Sequence, residues 1–490
     1  MMRWTPCMVM LMVAFAVNLF CSCLSPLYRL DGCCDTAMFY MVGKAWYYGM
    51  LPYVDVIDVK GPLLFLLYRI GYALSPGGTM GCYMLYSLLT FCTFVFLYKT
   101  ARVYSLTRWQ SLLAVLVSLV FLYETNSFSE GGKSEEITRC MIAGVMYGTC
   151  LIMKSYSLKS IRVGGVLIGF GAVVCLLVKY NACVPVFVAF VCIACALIRR
   201  KNWRWLGQFV LSVIMAALCV LIPMCVYLHS LGILVSCYDV YVTFNLQTLQ
   251  GVGTLTLPNI VSIITKVVQF PDTIVVFAGL IGIVQISTGE GEFGKKEARV
   301  ILSIITLSIL AACIVNYRYY IQLISPVGIF GCIAVCRNFS KDPGLVWRCL
   351  LVTFISLIVV PRVSGKWPEW AAYRLTQRLE PSFAAADRQI AEVKHAKIMY
   401  YGMLDCGLGV KSEALPACAE WTYLNGATPE YGARHEDAVR RRCADFIITR
   451  DDDGALLRAS GYECCCFMKE PHSTEYEIKR GYYMWKKISD

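Results

Sequence analysis

Nine stretches of this chain carry almost no charge: residues 80–98, 111–123, 163–178, 184–198, 209–228, 274–286, 300–315, 321–335 and 349–360. No feature restricts the fold more. A helix needs about 20 mainly apolar residues to cross the hydrocarbon core, with some tolerance for tilt and snorkelling ends. These runs, with their flanks, are of that order, so the expected architecture is a polytopic bundle of membrane helices. Only 16% of the residues are charged, against about 25% in soluble domains. The apolar run 7–24 reads as an uncleaved first span; a signal peptide is the alternative, because the run is short and follows Arg3.

The net charge of +12 would ordinarily suggest nucleic acid, but its distribution excludes that reading. From Arg362 onward there are 19 basic and 19 acidic residues, so the whole excess lies in the apolar part. Basic residues concentrated between apolar runs mark cytoplasmic loops. With the N-terminus inside and about 11 spans, 17 of the 26 basic residues before Arg362 fall inside and 10 of the 14 acidic residues fall outside. The segment Pro62–Leu74 is apolar but short. It reads as an interfacial, juxtamembrane helix, because an additional span there would reverse every later loop. Residues 1–361 thus form a membrane domain, with a long first outer loop at 25–78. Residues 362–490 form a small exported α/β domain, with a helical pattern at 370–395 and strand-like runs at 397–401 and 445–449.

The first outer loop concentrates the chemistry. It holds Asp35, Asp55, Asp58 and Lys60, and Asp35, Phe39 and Gly43 follow helical spacing. An aspartate at such a helix start is either an N-terminal cap or a general base or metal ligand facing a cleft. Asp55 and Asp58 read equally as site carboxylates or as caps of the Pro62–Leu74 helix. In the second outer loop Glu135 and Glu136 are either site carboxylates or solvated residues favouring a helix start. Cations at outer span ends, Lys179 and Arg318, fit phosphate contact or ordinary snorkelling to headgroups.

The block Asp35-x-x-x-Phe39-Tyr40-x-x-Gly43, then Gly49-x-x-Pro52-Tyr53-x-Asp55-x-x-Asp58-x-Lys60-Gly61-Pro62-Leu63, resembles the first periplasmic loop of GT-C membrane glycosyltransferases. These include the protein O-mannosyltransferases and the bacterial aminoarabinose transferases of lipid A. The order of elements is also similar. The resemblance implies transfer of a sugar from a polyprenyl-phosphate donor to a lipid, glycan or protein acceptor, at the outer face of a bacterial inner membrane. It implies that Asp35 serves as general base or metal ligand, with Asp58, Glu135 or Glu136 assisting. Lys60, Lys179 and Arg318 would hold the donor phosphate, and Tyr53, Asp55 and Tyr320 would line the substrate site. Gly61 stands where many members have proline. Clustered carboxylates admit a divalent ion, magnesium or manganese, on Asp35 and Asp55. The rival readings are a transporter or flippase and an O-antigen ligase or polymerase. Against a transporter, the carboxylates fall in loops and no repeat is visible; ligases usually carry their large loop late in the chain.

Overall fold

The structure is a computed structural model that describes residues 5–27, 34–123, 131–247, 272–286, 295–315, 322–338, 381–404, 407–424, 428–450, 454–469 and 481–488. The helices run α1 (Pro6–Cys21), α2 (Cys34–Tyr47), α3 (Pro62–Leu74), α4 (Met80–Val103), α5 (Arg108–Tyr123), α6 (Ser134–Ser155), α7 (Leu158–Val178), α8 (Cys183–Arg199) and α9 (Trp203–Ser230). After α9 come α10 (Leu234–Tyr238), a π-helical turn at Asp239–Phe244, α11 (Asp272–Ile286), α12 (Lys295–Val315) and α13 (Ile329–Asn338).

Among the described residues, five helical stretches are long and apolar enough to cross a membrane: Met80–Val103, Ser134–Ser155, Leu158–Val178, Tyr180–Arg199 and Trp203–Ser230. The chain is therefore a membrane protein. The count of about 11 spans draws also on shorter helices and on segments such as 349–360 that lie outside the described residues. Helix α1 belongs to the bundle. Its buried Asn18 donates to Thr90 Oγ1 of α4 at 3.0 Å and accepts from Tyr123 Oη of α5 at 3.2 Å. This polar side chain is thus satisfied between three helices.

Helices α2 and α3 lie together on the bundle. At 13 residues, α3 is about 20 Å long, too short to span. Pro62 at its first turn presets the helical φ and removes an N–H that would lack a partner. The Asp35, Phe39, Gly43 stripe of α2 packs on it: a Cβ on Gly43 would lie 2.5 Å from Tyr68 Cβ, and Phe39 contacts the Phe65 and Tyr68 rings.

Toward the C-terminus, α14 (Pro381–Ala391), α15 (Pro429–Arg440) and α16 (Gly454–Ala459) accompany five strands, β1 (Lys397–Tyr400), β2 (Leu415–Pro416), β3 (Phe446–Thr449), β4 (Tyr462–Lys469) and β5 (Gly481–Lys487). The sheet order is β2-β1-β3-β5-β4, with β1 parallel to β2 and β3, and β5 antiparallel to β3 and β4. Every residue of β3 is buried, as a strand flanked on both faces requires. Met399, Ile447 and Trp485 pack there with Ala438, Val439 and Leu457 of α15 and α16.

Candidate active site

Four chain segments meet beside α2. The first is the start of α2, where Asp35 sits in the first helical turn and meets the favourable end of the helix dipole. One turn on, the Phe39 ring lies 5.6 Å from the ammonium of Lys60.

The second segment is the loop 48–61. Tyr53 adopts φ 69° there, its N–H donates to Val56 O at 2.8 Å, and its buried hydroxyl donates to Lys60 O at 2.8 Å. Those bonds fold the loop back so that Asp58 points inward. Asp58 is fully buried; Oδ1 accepts from the Lys60 N–H at 3.0 Å, while Oδ2 has no hydrogen-bond partner among the described residues. Burial pushes its pKa up to about 6; the Lys60 charge opposes that shift and the neighbouring Asp35 charge adds to it. Neither Asp55 nor Asp58 caps α3, whose N-cap is Gly61. Asp55 is exposed, and its Oδ2 accepts from Leu51 N at 2.7 Å.

The third segment is the end of α7. The Gly61 N–H donates to Val178 O at 3.2 Å, so the backbone bearing Lys60 runs alongside the backbone bearing Lys179. This contact needs glycine: a Cβ at position 61 would lie 2.1 Å from Leu177 O. Tyr241 and Asn245 clamp the junction. Tyr241 Oη accepts from Tyr180 N and donates to Leu176 O, at 3.0 and 2.7 Å, and Asn245 Nδ2 donates to Val59 O at 2.8 Å. Sequence reasoning passed over both, since nothing local marks a clamp between distant segments.

The fourth segment is the entry to α6. Gly131 and Gly132 take φ 75° and 74°, values that glycine reaches without strain. Their carbonyls accept from Thr36 Oγ1 at 2.9 Å and from Tyr68 Oη, which ties the turn to α2 and α3. The turn separates the two adjacent glutamates. Glu136 accepts from the N–H groups of Gly132 and Lys133 and faces Arg139 at 3.9 Å. Glu135 reaches across to Lys179, with Nζ 2.6 Å from Oε1, and accepts from Ser134 Oγ at 2.9 Å.

The structure thus gathers Asp35, Asp58, Lys60, Glu135 and Lys179. Glu136 is turned to the helix start and Asp55 to solvent, while Tyr53 is part of the loop scaffold. Arg318 and Tyr320 lie outside the described residues. Among the described residues no three Asp, Glu, His or Cys side chains converge as a metal site. Asp55, one of the two carboxylates that the sequence suggested for an ion, is exposed and accepts from Leu51 N through Oδ2. What remains is a half-buried Asp35 and a buried Asp58 beside two lysines, an arrangement able to take a proton with one group while holding an anion with another.

No protein-family model matches the sequence, and a search of curated proteins finds no match. Among solved structures the chain is similar to ArnT from Cupriavidus metallidurans bound to undecaprenyl phosphate, with 12% identity and a TM-score of 0.57 over 98% of this chain and 97% of that one. It is similar to the apo state of the same protein, again at 12% identity, with a TM-score of 0.59 over 98% and 97%. At that identity the likeness speaks to the fold, which is the GT-C fold that the loop resemblance implies.

Proposed function

We propose that this chain is a glycosyltransferase that moves a sugar from a polyprenyl-phosphate donor to an acceptor hydroxyl at the outer face of a bacterial inner membrane, with its C-terminal α/β region exported. In the displacement, the acceptor oxygen forms a bond to the anomeric carbon as the bond from that carbon to the phosphate oxygen breaks. The configuration inverts and the lipid phosphate leaves with the bonding pair. Asp35 takes the acceptor proton. Lys60 and Lys179 offset the charge developing on the leaving phosphate, which in a water-poor site is worth far more than in solution. Glu135 holds Lys179 in place, Asp58 orders the backbone at Lys60, and Arg318 is a third cation for the phosphate. No step is routed through a metal.

The observation that carries this reading is the Gly61–Val178 junction, which sets the backbones of two lysines side by side next to the start of α2. The printed ligand of the ArnT structure, undecaprenyl phosphate, supports the donor class. Fold alone does not decide between a transferase and a carrier of lipid-linked sugars.

The test is sugar transfer from a panel of radiolabelled polyprenyl-phosphate sugars, by purified protein in nanodiscs with an acceptor extract. Wild type should transfer sugar, and Asp35→Asn should lose about 10²–10⁴-fold in kcat while remaining folded. Transfer surviving in Asp35→Asn would remove the base role. No turnover and no donor binding by folded wild type would return the reading to a transporter or a ligase.

A further inference from the structure

A lysine nine residues after the proposed general base, on the same helix, is buried in a direction the reaction does not use. Lys44 of α2 is fully buried, and its ammonium donates to Gly409 O at 2.8 Å and to Ser412 O at 2.6 Å. Both acceptors belong to a turn of the C-terminal α/β region. That turn is fixed from its own side: Asp387 Oδ1 of α14 accepts from Gly409 N at 3.1 Å, Tyr400 Oη of β1 donates to Leu408 O at 3.0 Å, and Ser412 Oγ donates to Gly409 O at 3.2 Å. A buried ammonium cannot give up such acceptors without a large desolvation penalty, so α2 and the turn are held as one unit.

A second tie lies beside Asp58. The Ile57 N–H donates to Ala419 O at 3.0 Å. Ala419 is in turn set by Glu420, whose carbonyl meets His435 Nδ1 at 2.6 Å and whose carboxylate meets Arg434 at 3.1 Å. The C-terminal region therefore grips both segments that carry the site aspartates, α2 with Asp35 and the loop with Asp58. The rings of Tyr48 and His395, 5.3 Å apart, close the seam between those two ties.

We infer that the C-terminal α/β region is a latch on the catalytic loop and that Lys44 is a positioning residue, fixing through the turn at Gly409–Ser412 the end of α2 from which the 51–61 loop leads, beside the separate tie of Ile57 to Ala419. Its activity readout rests on the transferase reading; its structural readout does not. Lys44 touches neither donor nor acceptor, so its loss alters how well the reacting groups are aligned and leaves donor capture intact.

Full-length wild type, Lys44→Met and Asp387→Ala are compared in nanodiscs by amide hydrogen exchange and by transfer kinetics. Asp387→Ala loosens the same turn from the far side without altering α2, so it serves if Lys44→Met fails to fold. Both variants should raise exchange in the 51–61 peptide by about tenfold or more, with α6 and α7 unchanged. Both should lower kcat on the order of 10- to 100-fold with the donor KM within about twofold. Exchange at 51–61 that stays at the wild-type level in a folded variant overturns the latch, whatever happens to activity. A raised donor KM with unchanged kcat overturns the positioning role. If wild type transfers nothing from any donor, the transferase reading fails and the exchange comparison still decides the latch.

Discussion

Asp58 makes the sharpest demand on the physical account. Its carboxylate is fully buried, one oxygen has no partner among the described residues, and its pKa is pushed from 3.8 to about 6. A shift of about 2 units corresponds to about 3 kcal/mol. The sign follows from the direction. The folded protein binds this proton more tightly than the unfolded chain, so the contribution to stability is complete below pH 3.8 and is lost as the pH rises through about 6. Wild type should therefore lose about 2 kcal/mol between pH 4 and pH 7.5 that Asp58→Asn does not lose. Comparing the two pH values within each protein cancels the pH-independent cost of burying an amide. The assay is denaturant unfolding in matched micelles across that range. Asp35→Asn provides a second check: the Asp35 charge adds to the shift, so its removal should move the midpoint of the wild-type slope to lower pH. Equal slopes in wild type and Asp58→Asn would falsify the assignment of a destabilised, ionised Asp58.

Gly61→Ala should displace the Lys60 backbone, because its Cβ would lie 2.1 Å from Leu177 O; the expected result is a stability loss of about 1–3 kcal/mol and a fall in transfer on the order of 10- to 100-fold, read by unfolding and by kinetics on the same preparation. The Glu135–Lys179 pair, at 2.6 Å and mostly buried, should show strong coupling. Glu135→Gln or Lys179→Gln alone should cost about 3–5 kcal/mol, and the double variant should cost clearly less than the sum in a double-mutant cycle; additive losses would mean the two charges do not support each other.

Much of this was legible from the sequence, for identifiable reasons. The long apolar runs led to membrane helices because hydrocarbon thickness sets a length that composition alone can meet. The Asp35, Phe39, Gly43 spacing located the face of α2 that packs on α3, since helical periodicity is a local property. The runs 397–401 and 445–449 became neighbouring parallel strands, β1 and β3, which short apolar segments bounded by turn residues tend to do. The division of labour between Glu135 and Glu136 was not legible. The two are chemically alike and adjacent, and what separates them is a turn at Gly131 and Gly132 plus helix phase: one carboxylate meets backbone N–H groups, the other a lysine from α7. The roles of Tyr241, Asn245 and Lys44 were hidden for a related reason. Each binds backbone carbonyls far away in the chain, and a carbonyl has no residue type to recognise.

That reliance on backbone contacts explains how a crowded charge cluster stays ordered. Asp35, Asp58 and Glu135 bring up to three negative charges, opposed by Lys60 and Lys179. Held by side-chain pairing alone, such a cluster would collapse into whichever ion pairs were shortest, and a donor phosphate would have to break them to enter. Here the loop is fastened by bonds that Tyr53 Oη, Asn245 Nδ2 and the N–H groups of Gly61 and Ile57 donate to main-chain carbonyls, so the charges keep their places without neutralising one another completely. Asp58 is the group left least satisfied, and it needs only a proton near pH 6 to become neutral. In the proposed reaction a phosphodiester arriving beside Lys60 and Lys179 adds one negative charge to this site. On the proposed reading the cheapest local compensation is a proton on Asp58, whose pKa burial already raises to about 6, while Glu135 is fixed on Lys179. On this argument the two aspartates are not duplicates. In the proposed reaction Asp35 meets the acceptor from the first turn of α2, and Asp58, buried and with a raised pKa, is the group whose charge yields when the donor binds.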